Sequence, residues 1–128
     1  MENNKMRKNI SIQEIIELHI QSDEIIDIAT VNGDYKTNNK EFKKRNKLFK
    51  FVENDIEMAK EVYSHLLMHP CITTKISSAS ECLKLNIYID EAVEILEEIS
   101  KRADVGIRGL SAEMVLRVWR GEFPGNTL

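Results

Sequence analysis

Ala59 to Leu85 reads AKEVYSHLLMHPCITTKISSASECLKL, and Ala92 to Val118 reads AVEILEEISKRADVGIRGLSAEMVLRV. Laid over one another at an offset of 33 residues, the segments align Ala59 with Ala92, Glu61 with Glu94, Ser78 with Ser111, Ala79 with Ala112 and Leu83 with Leu116. Five identities in 27 positions carry little weight alone, so the chemical types around them decide. Val62 meets Ile95, Leu66 meets Ile99, Ile72 meets Val105, Lys75 meets Arg108 and Lys84 meets Arg117. One helix pair per ~33 residues is the spacing of helical solenoid repeats. Small residues such as Ala79 and Ala112 let paired helices approach closely, while the Leu and Ile rows fill the seam. The plainer alternative is two amphipathic hairpins that resemble each other by composition only.

The rest of the chain reads the same way. Ser11-Ile12-Gln13-Glu14 has the form of a capping box, in which the Ser hydroxyl and the Glu carboxylate each accept a backbone N–H of the other residue. Behind it Ile12, Ile15, Ile16, Ile20, Ile25 and Ile26 repeat at helical spacing. This predicts a first helix from Ser11 to about Thr30, open to interruption at Ser22-Asp23. Asn32-Gly33-Asp34 is a turn signal. A second helix is expected after Thr37, carrying Phe42, Leu48, Phe49 and Val52. A third follows an Asn54-Asp55 cap, with Ile56, Ala59, Val62, Tyr63, Leu66 and Leu67 on one face, and Pro70 limits it. A fourth spans Ile72 to Leu85 and ends at Asn86. A fifth starts near Asp90 with Ala92, Ile95, Leu96 and Ile99 inward, and a sixth, capped by Ser111, ends at Gly121. No segment alternates with period two. The expected fold is all-α, an α-α superhelix of the HEAT or armadillo kind with about six helices. Residues 1–10 are expected to form a flexible tail and residues 11–128 a single helical-repeat domain.

Composition narrows the class. A chain of 128 residues suits one ordinary domain, and 42% hydrophobic with 30% charged residues supports a packed core. Five Gly and two Pro are too few for the many tight turns of a sandwich or barrel. No apolar run approaches the ~20 residues of a membrane span, and the polar Met1-Glu2-Asn3-Asn4-Lys5 start lacks a signal peptide's apolar stretch. Cys71 and Cys82 do not make a disulfide framework. A cytoplasmic protein with reduced thiols is expected.

Several stretches resemble a small bacterial all-α family defined only as a domain of unknown function. They are Leu66-Leu67-Met68-His69-Pro70, the helix with Ala79 and Leu83, Ala92 to Ser100, and Gly109 through Ala112-Glu113-Met114 to Trp119, Gly121 and Phe123. The resemblance runs from about Ile12 to Gly125 and implies a HEAT- or armadillo-like superhelix. It implies no activity, because none is established for that family. The basic stretch from Lys36 to Lys50 departs from its pattern.

Candidate chemistry is sparse. His65 and His69 are four residues apart, with Cys71 close by, as in a metal-binding group. Pro70 turns the chain between them, and no Glu stands at the zincin position, so capping near a helix C-terminus is the preferred role for these histidines. His69, Pro70 and Trp119 are expected to hold the fold. There is no glycine-rich phosphate loop, no GxSxG and no HExxH. Neither a catalytic constellation, nor a metal site, nor a cofactor is expected.

Charge is distributed in blocks. Ser11 to Asp34 holds six acids and no base, a net of −6; Lys36 to Lys50 holds seven bases and one acid, a net of +6. Glu53 to Asp104 holds eleven acids and five bases, again −6. The basic block could grip phosphates or lie against the acidic first helix within the molecule. The overall charge of −3 favours the internal pairing and argues against nucleic acid. An acidic solenoid surface suits a basic protein partner. These features predict a non-catalytic immunity protein that neutralises a bacterial toxin of interbacterial competition or contact-dependent inhibition, with a nuclease as one candidate. Glu14, Glu17, Glu24, Glu91, Glu94, Glu97 and Glu98 are the expected contacts with a basic toxin domain. The alternative is a nucleic-acid-binding transcriptional regulator that uses the basic 36–50 helix. The acidic run from Asp90 to Ile99 makes a poor recognition helix for it.

Overall fold

A computed structural model describes residues 10–122, and every regular element among them is helical. Residues 1–9 and the Phe123 and Gly125 positions of the family resemblance lie outside the described residues. The chain divides into two compact units, the first ending at Leu66 and the second beginning at Leu67.

The first unit contains α1 (Ile12–Val31), α2 (Tyr35–Glu53) and α3 (Ile56–Leu66), each packed on the other two. The capping box forms as the sequence specifies: Glu14 N–H donates to Ser11 Oγ at 3.1 Å, and Ser11 N–H to Glu14 Oε1 at 3.0 Å. α1 runs unbroken through Ser22-Asp23. Gly33 takes φ 69°, a left-handed turn that costs glycine little. Asp34 then caps α2, accepting from the Thr37 N–H at 3.1 Å and the Thr37 hydroxyl at 2.7 Å. The Thr37 bonds hold the Asp34 carboxyl below its ordinary range. Asp34 rather than Thr37 therefore sets the start of α2, at Tyr35. Asp55 Oδ1 accepts from the N–H groups of Glu57 and Met58, both at 3.2 Å, and opens α3. Ile15, Ile16, Ile26 and Ala29 of α1, Leu48 and Val52 of α2, and Ala59, Val62, Tyr63 and Leu66 of α3 are buried. Each large side chain among them contributes roughly 1.5–3 kcal/mol.

The second unit contains α4 (Ile72–Leu85), α5 (Ile89–Ser100), a 3-10 turn (Ala103–Val105) and α6 (Ile107–Trp119). α5 packs on both α4 and α6, and α4 also touches α6. Asn86 closes α4 in the left-handed region (φ 60°), with the Ile87 N–H reaching back to the Cys82 carbonyl at 3.0 Å. The last helix starts at Ile107, one turn earlier than a Ser111 cap requires. Ser111 lies inside it, its hydroxyl donating to the Ile107 carbonyl at 3.3 Å. Two features move the start. Val105 is buried and anchors the preceding turn. Gly109 lets α6 approach the end of α5, since a Cβ there would meet the Ile99 carbonyl oxygen at 3.3 Å and Val105 Cγ2 at 3.4 Å.

The starts of α3 (Ile56) and α5 (Ile89) keep the offset of 33 residues, whereas those of α4 (Ile72) and α6 (Ile107) are 35 apart, and α3 belongs to the first unit while α4 belongs to the second. Ala59, Ala92, Ala79 and Ala112 are all fully buried, and Leu83 and Leu116 nearly so. Ser78 is buried whereas its counterpart Ser111 is exposed. Val118 and Trp119 are exposed as well, so Leu116 carries the inward face of α6 without them.

Candidate functional site

Helical periodicity separates α1 into two faces. Ile15, His19, Ser22, Asp23 and Ile26 turn inward. Glu17, Gln21, Glu24 and Ile28 follow one another outward at i, i+4, i+7 and i+11, and all are exposed. Leu18 and Ile25 border them at 40% exposure each, and Ile28 reaches 64%. Glu14 is half-buried, because its carboxylate is held in the capping box. Glu17 accepts a bond from Gln13 Nε2 at 3.1 Å along the same surface. The acids are thus mixed with aliphatic side chains on one exposed helix face.

α5 carries the second acidic group. Glu91, Glu94 and Glu98 are exposed at i, i+3 and i+7, opposite the buried Ala92, Leu96 and Ile99. Glu97 faces aside and pairs with Arg120 Nη2 at 2.8 Å. Both partners of that pair are partly exposed, so it adds at most a few tenths of a kcal/mol to about 1. Of the seven expected contacts, Glu17, Glu24, Glu91, Glu94 and Glu98 are exposed, and Glu14 and Glu97 are engaged locally. The α1 and α5 groups belong to different units.

The basic block behaves differently from the expected internal pairing. Arg45 reaches Asp23 of α1, and Lys44 meets Glu41 within its own helix at 3.2 Å. Lys36, Lys40, Lys43, Lys47 and Lys50 are exposed and form no ion pair with a described residue. They fall on the side of α2 opposite the buried Glu41, Leu48 and Val52.

No family model, curated protein or solved structure matches this chain. What its surfaces do rests on their own chemistry.

The α1–α2 contact holds a polar cluster that the charge arithmetic alone did not single out. His19 Nδ1–H donates to Asp23 Oδ2 at 2.9 Å, and Arg45 Nη1 donates to Asp23 Oδ1. The Arg45 guanidinium stands 4.8 Å from the Phe42 ring centroid and 5.7 Å from that of Phe49. Phe49 stacks in tilted fashion on His19, with centroids 5.2 Å apart. One turn along, the Ser22 hydroxyl donates to Glu41 Oε1 at 2.9 Å. Asp23 is fully buried. Burial pushes its carboxyl up, but the hydrogen bond and charge of His19 and the charge of Arg45 outweigh that and hold it below its ordinary value. An Asp-oriented imidazole has the form of a general-base pair. Here His19 Nε2 is itself buried and has no partner among the described residues, so the pair joins two helices instead of meeting solvent. The signal was present in the sequence: His19, Ser22 and Asp23 fall on the same helical face as Ile15 and Ile26.

The remaining candidates are dispersed. His65 is exposed and its Nδ1 lies 2.9 Å from the Glu61 carbonyl, one turn back. His69 Nδ1 accepts the Cys71 N–H at 3.1 Å. No group of three His, Cys, Asp or Glu side chains able to hold a metal occurs among the described residues. Cys82 is buried, and desolvation together with the charges of Glu81 and Glu91 pushes its thiol up to about 12. Such a thiol stays protonated at neutral pH. No helix of the described residues is long and apolar enough to cross a membrane.

Proposed function

We propose that this chain is a non-catalytic, cytoplasmic protein-binding module: an immunity protein that binds and neutralises a cognate bacterial toxin of interbacterial competition or contact-dependent inhibition. The observation that carries this reading is the outward face of α1, where Leu18, Ile25 and Ile28 are exposed beside Glu17 and Glu24. Aliphatic contacts surrounded by charge are the anatomy of a protein interface, apolar at its centre and polar at its rim. The absence of any Lys or Arg between Ser11 and Asp34 selects a basic partner. Carboxylates at the rim would steer such a partner and fix its register. Against a nuclease they would occupy the positions of substrate phosphates.

The same reading includes a HEAT- or armadillo-like stacking of helix pairs, in keeping with the resemblance to the bacterial family of unknown function. The starts of α3 and α5, 33 residues apart, with fully buried alanines at the matching positions Ala59/Ala92 and Ala79/Ala112, support it. The test is co-expression with the product of the gene adjacent to its own. Stable co-purification, and growth rescue of cells that make that product, are the expected results. Failure to bind it and to relieve its toxicity would refute the proposal.

A further inference from the structure

Five lysines form a single line on α2. Lys36, Lys40, Lys43, Lys47 and Lys50 stand at i, i+4, i+7, i+11 and i+14, all exposed and none ion-paired with a described residue. Fourteen residues of helix extend about 21 Å. Like charges at i, i+4 weaken a helix by a few tenths of a kcal/mol per pair, so the fold gains nothing from this line. The two bases that do contribute to the fold, Arg45 and Lys44, point elsewhere and are already engaged by Asp23 and Glu41.

We propose that this lysine line is a binding surface for the phosphodiester backbone of nucleic acid, recognised without regard to base sequence. A duplex presents one negative charge per ~1.7 Å, so about 21 Å of it offers every lysine a phosphate. Asn39 and Asn46, both exposed amides able to donate to phosphate or sugar oxygens, flank the line on one side, with the exposed rings of Tyr35 and Phe42 beyond them, and Lys44 flanks it on the other. The chain's net charge of −3 does not cancel the surface. At physiological salt the Debye length is about 8 Å, shorter than the line itself, so a phosphate on α2 responds to the nearest lysines. This surface is separate from the α1 face and its lysines contribute nothing there, so the two readings can fail independently.

The experiment is a fluorescence-anisotropy titration of the full chain against a labelled 20-base-pair duplex at several salt concentrations. Five phosphate contacts give a log–log slope of about −4.5, an affinity loss of about 500-fold between roughly 50 and 200 mM salt. The K40Q/K43Q/K47Q variant keeps good helix formers at exposed positions, and its helix content is checked by circular dichroism. Its slope falls to about −1.8 and its loss over the same range to about 12-fold. An E17Q/E24Q variant keeps the parental slope. Absence of binding at the lowest salt, or an unchanged slope in the triple variant, overturns the proposal. Poly-glutamate competing as well as DNA, per charge, also overturns it and assigns the line to an acidic protein.

Discussion

Asp23 is the residue whose removal tests the packing of α1 on α2 most sharply. In an Asp23→Ala variant, the Arg45 guanidinium loses its carboxylate and stays largely buried, its side chain only 11% exposed between Phe42 and Phe49. His19 Nδ1–H loses its acceptor in the same step. Breaking a buried ion pair by deleting one partner costs about 3–5 kcal/mol, and the residual exposure of Arg45 points to the lower end, about 3. With a urea slope of about 1.5 kcal/mol/M, the midpoint falls by about 2 M, read by far-ultraviolet circular dichroism. Because the folded Asp23 carboxyl titrates below its ordinary value of 3.8, its contribution is complete above that value and is lost as pH falls through the folded one. The gap between variant and parent is therefore full at neutral pH and closes in strong acid. An Asp23→Leu, Arg45→Met double variant removes both charges and recovers the part of the loss due to the unpaired Arg45, while the buried His19 Nδ1–H remains without an acceptor. A single variant within about 0.5 kcal/mol of the parent at neutral pH, or a gap of constant size in acid, would refute the reasoning.

Three further outcomes follow from the fold. Ser11→Ala removes one half of the capping box and lowers stability by about 1 kcal/mol in urea unfolding, whereas Ser11→Asp retains most of it. Gly109→Leu forces a side chain against the Ile99 carbonyl and Val105, and thermal unfolding then reports a loss of about 2 kcal/mol or more. Cys82, buried and with its thiol raised to about 12, resists alkylation in the native protein at neutral pH, while the half-buried Cys71 reacts. Equal labelling of both cysteines would contradict the burial of Cys82.

Much of the helical layout was legible because its signals are local. Capping at Ser11, the Asn32-Gly33-Asp34 turn and the Asn86 stop each depend on a few neighbouring residues. Where tertiary contact decides, the local reading fell short. Ser111 has the chemistry of a cap, yet Gly109 packs against the end of α5 and draws that serine into the helix interior. Ser22-Asp23 leaves α1 open to interruption on local grounds, because short polar residues favour turns. The partners that keep them helical, Glu41 and Arg45, lie 19 and 22 residues further on. The candidate surfaces divide along the same line. Glu91, Glu94 and Glu98 follow from periodicity and the capture of Glu14 from its capping box, whereas the pairing of Glu97 with Arg120, 23 residues further on, needs geometry. The freedom of the α2 lysines was hidden for the same reason. A block of seven bases beside a block of six acids invites pairing, and only rotation about the helix axis shows Arg45 alone turned toward α1.

The most direct test of the central claim, that α1 presents a docking face for a basic protein, is isothermal titration of the adjacent gene's product into the parent chain and into an E17K/E24K variant. The account predicts tight one-to-one binding to the parent and at least about a tenfold weakening on charge reversal, since a like-charge contact costs more than about 1.4 kcal/mol. No heat with the parent, or an affinity indifferent to the reversal, would contradict it.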